Sequence, residues 1–435
     1  MTGNDAYYGG VDPRHAGGPV SRATFERDLV NMILFDDRIL LSDSIFFNNP
    51  TVLEHVRAAR DAPSLFEHAI MRGIVTPTVR EPVDSFADIA RYVRRYELLG
   101  ALPPGEVEEL AARYSVAPGQ FVLWPERMGD RYLHLLTTQL SDPVLPPRYA
   151  GSLIDDETWR ATEWLRREVI AEAVDVERGR TGSGVRRGEI VKVVARIMGV
   201  LPYDPSALDT HAVFAAIAEH DPRREAVRNF FDWIDDLWHF NQASAFSVKP
   251  QLSAANPGSL ALVPSPGLSS DPQPGAATWQ FTAEERIPRF DVLMALGPNR
   301  LFELRDYGHE WAAASRALVN LPPDTPPTVV DTMRQRAERS LHEYARRINR
   351  ATRAAAPKEL LIVEGAVNVA SAPVVTAIGE LTAWRMSLVP LHSFLSIGAF
   401  GWWAFKFFAN STRKDTVQIT RRPAGIVEFP TSPRA

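Results

Sequence analysis

The chain has 435 residues, 45% of them hydrophobic and 23% charged, which excludes a wholly disordered protein and exceeds the usual limit of a single hydrophobic core. It contains no cysteine, so disulfide frameworks, thiolate zinc sites, iron–sulfur clusters and thiol nucleophiles are excluded together. The formal charge of −5 argues against general nucleic-acid binding, and it is unevenly spread: from Asp331 onward 15 Lys and Arg face 8 Asp and Glu, about +7, leaving about −12 for the rest.

Residues 1–21 are rich in Gly, Pro and small polar residues and read as a flexible tail. They lack a basic stretch followed by an apolar run, so a cytoplasmic protein is expected. In FERDLVNMILFDDRILLSDSIFFNNP two apolar runs flank Asp36, Asp37 and Arg38. They fit a strand pair or a buried helix, so minor β content is open near residues 30–48, with Asp36, Asp37 and Asp43 as turn acids or as ligands of a cation.

The signals that follow are helical. In DSFADIARYVRRYELLG, Phe86, Ile89, Val93 and Tyr96 recur at three and four, with Asp84 or Ser85 able to cap the start. IDDETWRATEWLRREVIAEAV, GEIVKVVARIMGV and REAVRNFFDWIDDLWHFNQASAF predict three more helices. The expected plan is a helical N-terminal domain over 22–249, a Pro/Ser/Gly-rich loop or linker over 250–277 and a helical segment over 278–358. A hydrophobic helical pair over 359–409 and a C-terminal tail over 410–435 complete it. The fold class is mainly α: a multi-helix globular protein with a hydrophobic helical C-terminal region.

The segment TVVDTMRQRAERSLHEYARRINRATRAAA predicts a long amphipathic helix, with Val330, Met333, Ala337, Leu341, Tyr344 and Ile348 on one stripe. Its polar face is Arg-rich, Arg346, Arg347 and Arg350 among them, and suits either solvent or an anionic lipid or protein surface. Between Arg385 and Lys406 lie twenty residues without formal charge, roughly the 30 Å of a bilayer core if helical. Trp384, Trp402 and Trp403 stand where interfacial anchors would, and Lys406 is placed to snorkel. A weaker apolar segment over 360–378 is broken by Glu364 and Pro373. Pro390, His392, Gly398 and Gly401 make the stronger run compatible with a buried core helix as well.

Two further patterns suggest chemistry. Asp232, Asp235, Asp236 and His239, at spacings of three and four, would share one helix face able to hold a divalent metal, or would form a solvated acidic face. A second Asp-x-x-His, Asp306 and His309, has Gly308 between its members. Arg178, Arg180, Arg186 and Arg187, interleaved with glycines ahead of a helix, suit an anion or a basic connector, but the Lys and Ser/Thr of a phosphate loop are missing. The leading expectation is a non-enzymatic cytoplasmic effector or scaffold, membrane-associated or bound to a protein partner through its C-terminal region. The alternatives are a metal- or phosphate-dependent helical enzyme using the Asp232 to His239 face, and an apolar-ligand binder whose C-terminal aromatic residues line the pocket.

Overall fold

The computed structural model describes residues 5–11, 20–59, 62–95, 104–114, 120–125, 128, 160–169, 171, 187–200, 210–246, 248–251, 279, 281–322, 324–355 and 414–421. The described chain is mainly α with a smaller β part. It begins with β1 (Ala6–Tyr8), α1 (Arg22–Phe35), β2 (Ile39–Ser42), the helices α2 (Ile45–Asn48), α3 (Pro50–Ala58) and α4 (Leu65–Met71), and β3 (Val75–Val79). Next come α5 (Phe86–Arg95), α6 (Pro104–Arg113), β4 (Val122–Leu123), α7 (Glu163–Val169), α8 (Arg187–Ile197), α9 (Thr210–Ala216), α10 (Arg224–Ala245) and β5 (Lys249–Gln251). The last elements are β6 (Phe281–Pro288), α11 (Phe290–Ala295), α12 (Gly297–Asp306), α13 (His309–Val319), α14 (Pro327–Ala355) and β7 (Lys414–Arg421).

Local chemistry sets the helix starts. Ser21 Oγ accepts the Thr24 N–H at 3.2 Å ahead of α1, and Asn49 Oδ1 accepts both Thr51 and Val52 N–H groups ahead of α3, with Pro50 at its first position. Ser64 and Glu67 form a reciprocal capping box at α4. Of the two candidates before α5, Ser85 caps it, accepting the Asp88 N–H.

Of the two apolar runs around Asp36, the first is α1 and the second is β2. No hairpin forms, because β2 pairs in parallel with β1 on one side and β3 on the other. Every residue of α1 from Asp28 to Phe35 is buried, so the run carries no polar face that would have shown a helical period. The flexible-tail expectation for residues 1–21 is corrected: Ala6, Tyr7 and Tyr8 are wholly buried as β1. Three residues beside glycines are too few to show alternation. Pro250 and Gln251, at the start of the expected linker, belong to β5.

The five strands form one parallel sheet in the order β4-β3-β2-β1-β5. The chain builds outward from β1 to β4, then returns to place β5 on the other side of β1. Successive strand residues face opposite sides. Accordingly Tyr8, Ile39, Leu41, Val75 and Val79 share a core with α1 and α3 to α6, while Tyr7 and Leu40 pack with Ala243 and Phe246 around α10. Right-handed crossovers require this arrangement when the direction of strand addition reverses. The larger of these two cores continues through Phe281, Leu293, Leu301, Trp311, Leu341, Ile348 and Ile419, so the described elements after residue 280 pack on the same core as the N-terminal ones.

α14 spans 29 residues, with Ala337, Leu341, Tyr344 and Ile348 buried as its periodicity predicts. β6 and β7 pair antiparallel from Phe281 opposite Arg421 to Pro288 opposite Lys414. The expected hydrophobic pair over 359–409, including Trp384, Trp402, Trp403 and Lys406, lies outside the described residues. Among the described residues no helix is long and apolar enough to cross a membrane.

Candidate functional site

A helix leaves its last carbonyls without intrahelical partners. At the end of α1 they are satisfied by side chains from the C-terminal half of the chain. Arg305 of α12 donates to Ile33 O, to Asp36 O at 2.6 Å and to Asp37 O at 2.7 Å. Tyr344 of α14 donates its hydroxyl to Leu34 O at 3.0 Å, and Arg421, the last residue of β7, donates to Phe35 O at 2.7 Å. Arg421 also reaches Asp36 Oδ1 at 3.3 Å and Ser315 Oγ at 2.9 Å, with its guanidinium over the Trp311 ring. Burial pushes this guanidinium below its ordinary pKa, against the opposing pull of Asp36 and Asp37. Gly308 is needed here, because a Cβ on it would stand 2.7 Å from the Tyr344 ring.

α14 also packs against β6 of the ribbon. Tyr344 sits beside Leu34 and Phe35, next to the end of the ribbon where Arg421 opposes Phe281. Five residues later, Asn349 Nδ2 donates to Arg286 O at 2.8 Å, most of the way to Pro288. His342 Nδ1 lies 3.0 Å from Glu285 Oε1, so α14 crosses the ribbon at Glu285 and Arg286. Lys414, opposite Pro288, is exposed, and Asp415 Oδ2 accepts the Phe290 N–H at 3.0 Å, fixing the start of β7 to the start of α11.

Arg346, Arg347 and Arg350 are all exposed on the last turns of α14. Arg347 lies 3.7 Å from Glu310, a pairing between half-exposed groups that contributes little stability. They make the outer face of these turns basic.

The other expected site residues are placed as follows. Asp232, Asp235 and Asp236 lie on α10, but their side chains lie outside the described residues. His239 is buried against β1, so close that a Cβ on Gly9 would stand 2.3 Å from its Cγ. Among the described residues no group of three His, Asp or Glu is arranged to hold a metal ion. Asp306 and His309 do not converge through their side chains: His309 is exposed, and its Nδ1 faces the Asp306 backbone carbonyl at 3.3 Å. Arg187 opens α8, while its side chain and Arg178, Arg180 and Arg186 lie outside the described residues.

The carboxyl edge of the sheet holds a second polar cluster. Asp43, directly after β2, is fully buried; it accepts the Tyr92 hydroxyl at 2.5 Å and the Ser44 N–H at 2.7 Å, and lies 3.3 Å from Arg80. Arg80 in turn stacks over Trp124 beyond β4. Burial, then Asp43, raises the Tyr92 hydroxyl far above its usual range, so it stays a donor. Open parallel sheets bind ligands at this edge, where strand order reverses. The segments leaving it after β1 and β5, residues 12–19 and 252–278, lie outside the described residues.

No protein-family model, curated protein or solved structure matches the chain. Sequence reasoning missed Arg305 and Arg421 altogether and read Asp36 and Asp37 as turn acids or cation ligands. Their partners lie 268 to 386 residues away, a separation that leaves no local pattern.

Asp37 supplies a pH test of the seam. Burial raises its pKa, while Arg316 and then Arg305 oppose the rise. A folded pKa above the unfolded one means that the ionised carboxylate costs stability at neutral pH, and that this cost disappears as pH falls below the usual value near 3.9. Asp37→Asn is therefore expected to stabilise the protein at pH 7, with the advantage shrinking toward pH 3. Urea unfolding at both values reads the difference; a variant less stable at pH 7 than at pH 3, relative to the parent, would show that the Arg316 pairing outweighs burial.

Proposed function

We propose that the protein is a non-enzymatic effector or scaffold of the cytoplasm that holds an anionic membrane surface through its basic, hydrophobic C-terminal region. The observation that carries this reading is the exposed row Arg346, Arg347 and Arg350 on the last turns of α14, the described element before residues 356–413, with exposed Lys414 opening the strand that follows them. The chain between these two points contains the uncharged run 386–405. A segment whose two ends belong to one folded body, as α14 and β7 share one core, meets a bilayer from one side. It either lies in the interface or crosses an even number of times, and in both cases the basic flanks stay with the anionic leaflet.

Each basic residue near such a leaflet contributes on the order of 1 kcal/mol. Removing two of them, in Arg346→Gln with Arg350→Gln, is expected to weaken binding to phosphatidylserine-containing vesicles about thirtyfold, with little change in folding because both side chains are exposed. Co-sedimentation with these vesicles and with pure phosphatidylcholine, at low and high salt, reads the effect. Parent protein that sediments with neither vesicle removes the membrane reading and leaves a protein surface as the partner.

A further inference from the structure

The exposed arginines of α14 divide into two kinds. Arg334 pairs with Asp331 at 2.7 Å, and Arg347 lies 3.7 Å from Glu310. Arg336, Arg339, Arg346 and Arg350 are exposed and make no ion pair or hydrogen bond among the described residues. At the helical turn of about 100° per residue these four fall within an arc of about 80°, on the side of the helix away from buried Ala337, Leu341, Tyr344 and Ile348. They form a row about 21 Å long at the helical rise. Like charges along one helix face repel, so an anion from outside the chain lowers the energy of the row.

The row is built as two pairs. Arg336 and Arg339 are neighbours one turn apart, as are Arg346 and Arg350, which sets the Cβ atoms of each pair about 5–6 Å from each other. Exposed Glu343 stands between the pairs and opposes an anion there. Two guanidinium forks at this spacing close on a phosphomonoester, which offers three terminal oxygens and nearly two charges. A phosphodiester offers fewer free oxygens and a single charge, so it fills the forks less well.

We infer, resting on the membrane reading above, that the outer face of α14 selects lipids with a phosphomonoester headgroup, one held by Arg336 with Arg339 and another by Arg346 with Arg350. α14 then lies along the bilayer surface, with its buried stripe turned to the protein core.

The test is flotation of the full chain with phosphatidylcholine vesicles that contain either phosphatidic acid or phosphatidylglycerol, at contents matched for surface potential. The parent is expected to prefer phosphatidic acid about tenfold, the worth of one charge-assisted hydrogen bond. Replacing all four residues together, in Arg336→Lys, Arg339→Lys, Arg346→Lys and Arg350→Lys, keeps the charge and the helix but removes the forks. This variant should bind phosphatidylglycerol within about twofold of the parent and lose most of the preference. Equal affinity of the parent for both vesicles overturns the headgroup assignment while the membrane reading stands, and binding to neither overturns both. A preference kept in full by the lysine variant overturns the role of the forks. Displacement of the parent from vesicles by micromolar glycerol 3-phosphate overturns the lipid assignment and makes the ligand a soluble phosphomonoester.

Discussion

Replacing Arg421 by methionine is expected to cost about 3–5 kcal/mol of folding stability, the loss typical of a buried ion pair stripped of one partner. Arg421 and Asp36 are each at most 5% exposed, so water does not enter to replace the guanidinium. The change also strands the Phe35 carbonyl at the end of α1 and removes the donor to Ser315 Oγ. Methionine keeps much of the apolar packing against Trp311, which isolates the polar loss from simple cavity formation. A second replacement, Asp36→Leu on the Arg421→Met background, should recover part of the loss by removing the charge that lost its partner, though not the share owed to Phe35 O. Urea unfolding of the three variants decides the matter. If Arg421→Met falls within about 1 kcal/mol of the parent, the seam does not hold β7 to α1, and ribbon pairing with the Asp415–Phe290 contact holds the strand instead.

α14 was legible because Ala337, Leu341, Tyr344 and Ile348 are buried on one stripe while the arginines between them face out, and α5 was legible because Ser85 caps a regular apolar period. The second half of α1 and β2 were ambiguous for one shared reason: from Asp28 to Phe35 and from Ile39 to Ser42 every residue is buried, and burial on all sides erases the polar face that distinguishes a period of 3.6 from one of 2. The parallel sheet went unseen because its strands are two to five residues long and β1 sits among glycines. The Arg346 to Arg350 surface was readable as a local run of exposed charge. Arg421 and the Glu26–His55 pair were not, because each acts on a partner brought to it only by the fold.

Gly9→Ala is expected to cost about 3 kcal/mol, a large effect for one methyl group. The new Cβ would lie 2.3 Å from His239 Cγ and 2.4 Å from its Nδ1, inside any real contact distance, so the ring or the α10 backbone has to move. His239 is 4% exposed beside Tyr7, whose ring centroid is 6.1 Å away, and a side chain enclosed in this way cannot yield cheaply. The signature is non-additivity. His239→Ala alone should destabilise by opening a cavity, but Gly9→Ala with His239→Ala should cost well under the sum of the two, because the added methyl then fills space the ring has left. Thermal and urea unfolding of the two single variants and the double variant measure this coupling. A strong coupling ties His239 to β1 as the packing contact that sets α10 on its face of the sheet. A Gly9→Ala chain as stable as its parent would mean that the imidazole swings off β1 freely, and His239 would return as a candidate ligand beside Asp235 and Asp236.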